Sequence, residues 1–265
     1  MTACTAALAE PGNPPVQTTP QDLQEPKVKQ LQNAKPHTIL FVGNSYFYYN
    51  DSLHNHVQRM AAAAGVVELD ELTYKSATIG GAALRDHAIE HLLEPSNLRV
   101  DTPYEVVILQ GGSFEPLSEN RRKLFIETAR DYAARVRASG AEPVLYMTHA
   151  YVPPHRNYRS DMIQDVASLY LETGNAIDAL VIPVGVAFAE AYRRNPKIEL
   201  HKSFDGSHPS LLGTYLATAV TFASLYQTSP IGNSYDYFGA VSEEDARFLQ
   251  QVAHDTVSAF YGRED

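Results

Sequence analysis

The stretch ILFVGNSYFYYNDSLHNHV, Ile39 to Val57, decides how this chain is read. With Thr38 in front, TILFV is a short β-branched, apolar run, the composition of a strand buried on both faces. A small G-N-S follows at Gly43 to Ser45, then an aromatic cluster from Tyr46 to Tyr49. An amphipathic helix is expected from Leu53 to Ala64, closed by Gly65. Asp51 or Ser52 is the better N-cap for that helix, which leaves the Ser45 hydroxyl at the strand's end without an evident structural duty.

Outward from this unit, strand-like and helix-like segments keep alternating. Val66 to Tyr74 alternates as a second strand, and Ala82 to Leu93 reads as a helix. EVVILQ (Glu105 to Gln110) is a third strand, followed by a long helix from Glu119 to Ser139 that ends at Gly140. PVLYM (Pro143 to Met147) and ALVIPV (Ala179 to Val184) supply two more strands, with helices over 161–173 and 187–194. Two helices, Leu211 to Tyr226 and Glu243 to Tyr261, finish the chain. Such alternation with short connections implies right-handed crossovers between parallel strands. The expected architecture is α/β: one three-layer α/β/α domain over 37–265 with a five-stranded parallel sheet.

Composition bounds the rest. With 44% hydrophobic residues in 265, the chain can bury a sizeable core. A formal net charge of −10 argues against a nucleic-acid partner, which a basic face would normally track. No apolar run approaches the ~20 residues that span a bilayer, so no membrane-spanning helix is expected. Cys4 is the sole cysteine, which excludes an intramolecular disulfide. Residues 1–36, rich in Pro, Gln, Thr and Ala without an apolar period, read as a disordered leader. Its start, MTACTAALAEPG, resembles a signal-cleavage region but lacks the charged and apolar parts of one. Two locations stay open: cell envelope or secreted if that is a truncated signal, otherwise cytoplasmic.

In open parallel sheets ligands sit beyond the carboxyl ends of the strands, at the switch point of strand order. That rule directs attention to Gly43-Asn44-Ser45, to Gly80-Gly81, to Gln110-Gly111-Gly112-Ser113, to His149, and to the loop Ser203–Pro209. Asp205 and His208 stand three apart in that loop, with Pro209 expected at the first helical position. A carboxylate there can accept from the imidazole Nδ1–H and leave Nε2 as a base. Gly80, Gly81 and Gln110 supply candidate donors for an oxyanion.

In this order, the G-N-S, the glycine after strand two, the polar loop after strand three and the D-x-x-H resemble the SGNH (GDSL-type) hydrolases, over nearly all of 38–226. The resemblance implies a flavodoxin-like sheet and a serine esterase with no cofactor or metal: Ser45 the nucleophile, His208 the base, Asp205 its orienting partner. It further implies oxyanion donors from the Ser45 N–H, a glycine N–H at Gly80 or Gly81, and a side chain of the third block. The family's third block is usually G-x-N, which strict alignment places at Ser113. LQGGS also resembles the Q-G-E of carbohydrate-acetylesterase relatives, which favours Gln110 with Ser113 second. The implied substrate is a small-molecule or glycan ester of short acyl chain, such as a carbohydrate acetate. An acyltransferase on the same triad and a non-catalytic binding protein are the rival readings; the oligomeric state is not set by the sequence.

Other histidines attract blander readings. His87 and His91, four apart on an expected helix, have no third metal ligand in view. His54 and His56 would diverge by about 200° on a helix and cannot share an ion. The aromatic cluster Tyr46 to Tyr49 is either local packing or a wall for sugar or acyl groups.

Overall fold

A computed structural model describes residue 20 and residues 22–263. Five strands form one parallel sheet: β1 (Thr38–Gly43), β2 (Thr73–Thr78), β3 (Val106–Gln110), β4 (Glu142–Tyr146) and β5 (Leu180–Ile182). Their order is β2-β1-β3-β4-β5. The chain steps outward from β1 to β2, then returns across β1 to place β3 on its other side. The gap between β1 and β3 is therefore the switch point, beyond whose carboxyl ends this fold class places its ligands. The ladder pairs Gly43 with Thr78 on one side and Val42 with Leu109 on the other.

Both faces of the sheet are covered, which explains why the strands are continuous apolar runs. Ile39, Phe41, Val106, Ile108, Val144 and Ile182 face one core. There they meet α2 (Leu53–Ala63), α6 (Val184–Arg194), α7 (Leu211–Tyr226) and α8 (Glu243–Tyr261). Leu40, Val42, Val107, Leu109, Leu145 and Val181 point the other way, against α4 (Glu119–Ala138) and α5 (Met162–Ala176). Helix α7 is apolar all round because it lies between α2, α6 and α8, with every residue from Gly213 to Tyr226 buried.

Three expectations are corrected. The second strand lies at Thr73–Thr78 instead of Val66–Tyr74, because its ladder to β1 starts at Thr38↔Thr73 and Leu69–Glu71 form a 3₁₀ turn before it. The helix expected over Ala82–Leu93 is two separate turns, a 3₁₀ turn at Leu84–Asp86 and α3 (Ile89–Leu92). Asp86 accepts from the Ala83 N–H and closes the first turn locally. The leader is corrected over its later part. Leu31 is 3% exposed, Glu142 accepts from the N–H groups of Gln32 and Asn33, and Glu105 accepts from those of His37 and Thr38. Cys4 and the signal-like MTACTAALAEPG lie outside the described residues. No helix among the described residues is long and apolar enough to cross a membrane.

Candidate active site

Strand β1 ends at Gly43, where a Cβ would stand 2.5 Å from Gln110 Oε1 and 2.8 Å from the Phe47 ring, so only glycine fits. The next residue turns the chain. Asn44, with extended backbone, caps a one-turn helix, α1 (Ser45–Tyr48), by accepting the Tyr46 N–H on its side chain. Ser45 is thus the first residue of a helix aimed from the sheet edge, which supplies the structural context that the sequence alone lacked.

The loop Ser203–Pro209 is tied across its base. The Lys202 N–H donates to His208 O at 2.7 Å and the Gly206 N–H to Lys202 O at 3.0 Å. Gly206 has φ +63, and a Cβ there would meet Val152 O at 2.0 Å. Val152 N–H in turn donates to Gly206 O, fastening the loop to the segment after β4. Ser210, one residue beyond Pro209, caps α7, so the proline precedes the cap instead of opening the helix. Asn50, from the α1–α2 connection, donates its amide to Pro209 O, Ser210 O and Thr214 Oγ1. That contact sets the distance between the two halves of the site.

His208 Nε2 lies 2.9 Å from Ser45 Oγ, and His208 Nδ1 lies 2.5 Å from Asp205 Oδ2. The other oxygen of Asp205 accepts from the Ser207 and His208 N–H groups at 2.8 and 3.1 Å. Partial burial pushes the Asp205 carboxyl up, but the hydrogen bonds from His208 and those two N–H groups outweigh it and hold it below its ordinary value. Asp205 stays a carboxylate and an acceptor on the Nδ1 side, which suits the tautomer that presents Nε2 to the serine hydroxyl.

Around this line lies an aromatic frame. Tyr49 stacks on the His208 ring at 4.3 Å and 17°, and Tyr48 stacks on Tyr49. Tyr46 donates to or accepts from Ser207 Oγ at 2.8 Å and stacks on His149 at 4.2 Å. His149 is sandwiched between Tyr46 and Phe188, and its Nε2 donates to Ser207 O at 2.8 Å. Burial lowers the His149 pKa to about 4, so the ring stays neutral and acts as a fixed donor. Its place after β4 was the sole sequence signal for this role, and its ring contacts required the fold.

The expected oxyanion donors divide. Gly80 and Gly81 follow β2 at the exposed rim, and Gly81 has φ +71. The loop is held beside Ser45 by Asn44 Nδ2, which donates to Ala82 O at 3.0 Å. Among the described residues, the N–H groups of Ser45, Gly80 and Gly81 donate to no protein acceptor. Gln110, expected as the side-chain donor, instead points inward and is fully buried. Its Nε2 donates to Asn44 Oδ1 at 2.9 Å and Gly111 O at 2.6 Å, while its Oε1 accepts the Asn44 N–H. Both amide protons are committed. Ser113, half-buried on the same loop, accepts from the Tyr151 hydroxyl at 2.9 Å and also bonds the Tyr46 hydroxyl, contacts that leave it at the edge of the site with a hydroxyl able to donate.

The decoy histidines separate. His87 is buried while His91 is exposed, and no group of three metal-ligating side chains occurs among the described residues. His56 bonds Asn50 O and the Tyr235 hydroxyl, and His54 packs against Phe41, both in structural roles.

Solved structures match this chain over most of its length. A DUF4886 family protein from Bacteroides uniformis superposes with TM-score 0.63 at 18% identity, covering 85% of this chain and 95% of its own. The fold is that of the SGNH hydrolases. A member of the lipolytic G-D-S-L family from Veillonella parvula shares this SGNH fold with TM-score 0.53 at 12% identity, over 72% of this chain and 98% of its own. So does the acetyl xylan esterase AlAXEase, with TM-score 0.56 at 14% identity, over 70% of this chain and 98% of its own. No protein-family model and no curated protein sequence matches the chain.

Proposed function

We propose that this SGNH-fold protein is a serine esterase that hydrolyses a carboxylic ester through Ser45, His208 and Asp205. The observation that carries the reading is the unbroken hydrogen-bonded line from Ser45 Oγ through both imidazole nitrogens to Asp205. A serine hydroxyl is a weak nucleophile near neutral pH, and a positioned base is what makes it useful. Ser45 Oγ attacks the ester carbonyl carbon as its proton passes to His208 Nε2, and the carbonyl π pair moves onto oxygen. Asp205 stabilises the imidazolium that forms.

The oxyanion is received by the N–H groups of Ser45 and of Gly80 or Gly81, at the N-terminus of α1 and the adjacent turn. Ser113 replaces Gln110 as the proposed side-chain donor, since the Gln110 amide is committed to Asn44 and Gly111. On collapse, the C–O bond to the alcohol breaks and His208 returns the proton to the leaving oxygen. Water, deprotonated by the same imidazole, then releases the acid and restores Ser45.

A short acyl group on a carbohydrate is the favoured substrate class. Exposed Tyr48, Ile79 and Phe204 border the site, a rim suited to the apolar faces of sugar rings. The acetyl xylan esterase among the fold neighbours is consistent with this. A fluorophosphonate probe should label the wild-type protein at Ser45, and p-nitrophenyl acetate should be cleaved faster than the octanoate. No labelling, or equal labelling of Ser45→Ala, would remove the hydrolase reading.

A further inference from the structure

The loop after β3 is held from below by a residue that the triad chemistry does not use. Glu115 opens a 3₁₀ turn (Glu115–Leu117), and its side chain is 2% exposed. Its Oε2 accepts the Gly112 N–H at 2.8 Å, immediately before Ser113. Its Oε1 faces Arg85 Nη1 at 3.9 Å, in the turn that follows Gly80 and Gly81. The preceding amide, Gly111 N–H, donates to the Tyr170 hydroxyl at 3.2 Å. A Cβ at Gly111 would lie 2.2 Å from Glu115 Oε2, so the glycine makes room for the carboxylate. Burial of an acid in such a place is costly unless it holds something.

We propose that Glu115 is a positioning residue: its buried carboxylate clamps the loop carrying Ser113 to the loop carrying Gly80 and Gly81, through Gly112 and Arg85. The inference rests on the esterase reading above, since it assigns those two loops to the oxyanion. Both loops leave the sheet from different strands, β3 and β2, on opposite sides of β1. The two loops also approach near Ala82: a Cβ at Gly112 would stand 3.3 Å from Ala82 O, and Asn44 Nδ2 reaches both Ala82 O and Gly111 O. The Arg85–Glu115 pair closes the far end of this junction. It thereby fixes the separation of donors that must converge on one oxygen, where misplacement is felt directly in the rate.

Burial and the clamp's own contacts pull its ionisation in opposite directions. Burial pushes the Glu115 carboxyl up to about 7, opposed by the Gly112 N–H, by Arg85 and by the Leu84 N–H, while Asp86 adds to the rise. Tyr170 faces it from α5, and α4 presents the apolar Phe125 to the same glycine. Arg85 is 41% exposed, so the outer partner can be changed without opening the core.

The test compares Glu115→Gln and Arg85→Gln with the wild-type protein on p-nitrophenyl acetate, with fluorophosphonate labelling in parallel. Glu115→Gln should lower kcat roughly 10-fold, a fraction of the loss seen when an oxyanion donor is removed outright. KM should change less than about twofold, because the interaction is made in the transition state. The kcat profile between about pH 6 and 8 should also change shape, since the amide does not titrate. Arg85→Gln should lower kcat several-fold with the same KM, and this variant decides the matter if Glu115→Gln does not fold. With wild-type labelling intact, kcat values within twofold of wild type, or a loss confined to KM, would overturn the clamp alone. Absence of labelling in the wild type would overturn the esterase reading and the clamp together.

Discussion

Asn44 and Gln110 hold each other by two reciprocal hydrogen bonds across the switch point. The Asn44 N–H donates to Gln110 Oε1 at 3.1 Å, and Gln110 Nε2 donates to Asn44 Oδ1 at 2.9 Å. The pair joins the ends of β1 and β3 beneath the nucleophile. It also gives a physical reason for an amide at position 44, because Asn44 Nδ2 donates to Ala82 O and Gly111 O and a carboxylate has no proton to give.

Asn44→Asp should therefore be destabilising. A carboxylate would face two backbone carbonyls in a buried site, and the loss should be on the order of 1–3 kcal/mol. Thermal denaturation measures it, and a melting temperature equal to that of the wild type would refute this account of the pair.

The triad makes a sharper demand. Ser45→Ala or His208→Ala should each reduce kcat by at least about 10³, because the members act as a unit. Asp205→Asn should leave a small residual rate. Ser45 Oγ and His208 Nε2 bond chiefly to each other, so the Ser45 variant should melt within a few degrees of wild type. Full activity in Ser45→Ala would end the hydrolase reading.

His149 bears on acid stability. Its folded pKa of about 4 lies below the ordinary 6.5, so the stabilisation tied to its neutral form is complete above pH 6.5 and is lost as pH falls toward 4. Glu115 acts with the opposite sign. Its pKa is raised from 4.5 to about 7, so stability that it contributes below pH 4.5 is lost as pH rises through 7. His149→Phe, which keeps the stack between Tyr46 and Phe188, should flatten the loss between pH 6.5 and 4 in denaturant titrations. An unchanged slope would show that other groups dominate. The same variant leaves Ser207 O without its donor and should lower kcat, with the Asp205–His208 loop less well held.

Removal of residues 20–35 should lower the melting temperature. It exposes the pocket of Leu31, whose burial contributes roughly 2 kcal/mol, and strips Glu142 of its contacts to Gln32 and Asn33. A truncated chain that melts with the full-length protein would mean these contacts contribute nothing net.

Much of the architecture was legible in the chain itself. TILFV and VVILQ are apolar on both faces because both faces are covered, and the alternation of such runs with helices specifies a parallel sheet. The parallel sheet places Ser45, Gly80, Gly81 and Ser113 after strand ends, and D-x-x-H spacing is local enough to allow the Asp205–His208 contact, though a capping Asp beside an exposed His fits the same spacing. What sequence could not decide was anything set by neighbours distant along the chain. The start of β2 depends on its ladder with β1, since alternation in Val66–Tyr74 does not reveal which residues find a partner. The helix expected at Ala82–Leu93 yields because its first residues are held by Asn44 and Asp86 in a turn. Gln110 illustrates the limit most directly. Its type and position suit an oxyanion donor, but an amide has two protons, and Asn44 and Gly111, one from β1's end and one from its own loop, take both. Donor inventory is written in the sequence; the acceptors that consume it are chosen only when β1 and β3 come to lie side by side.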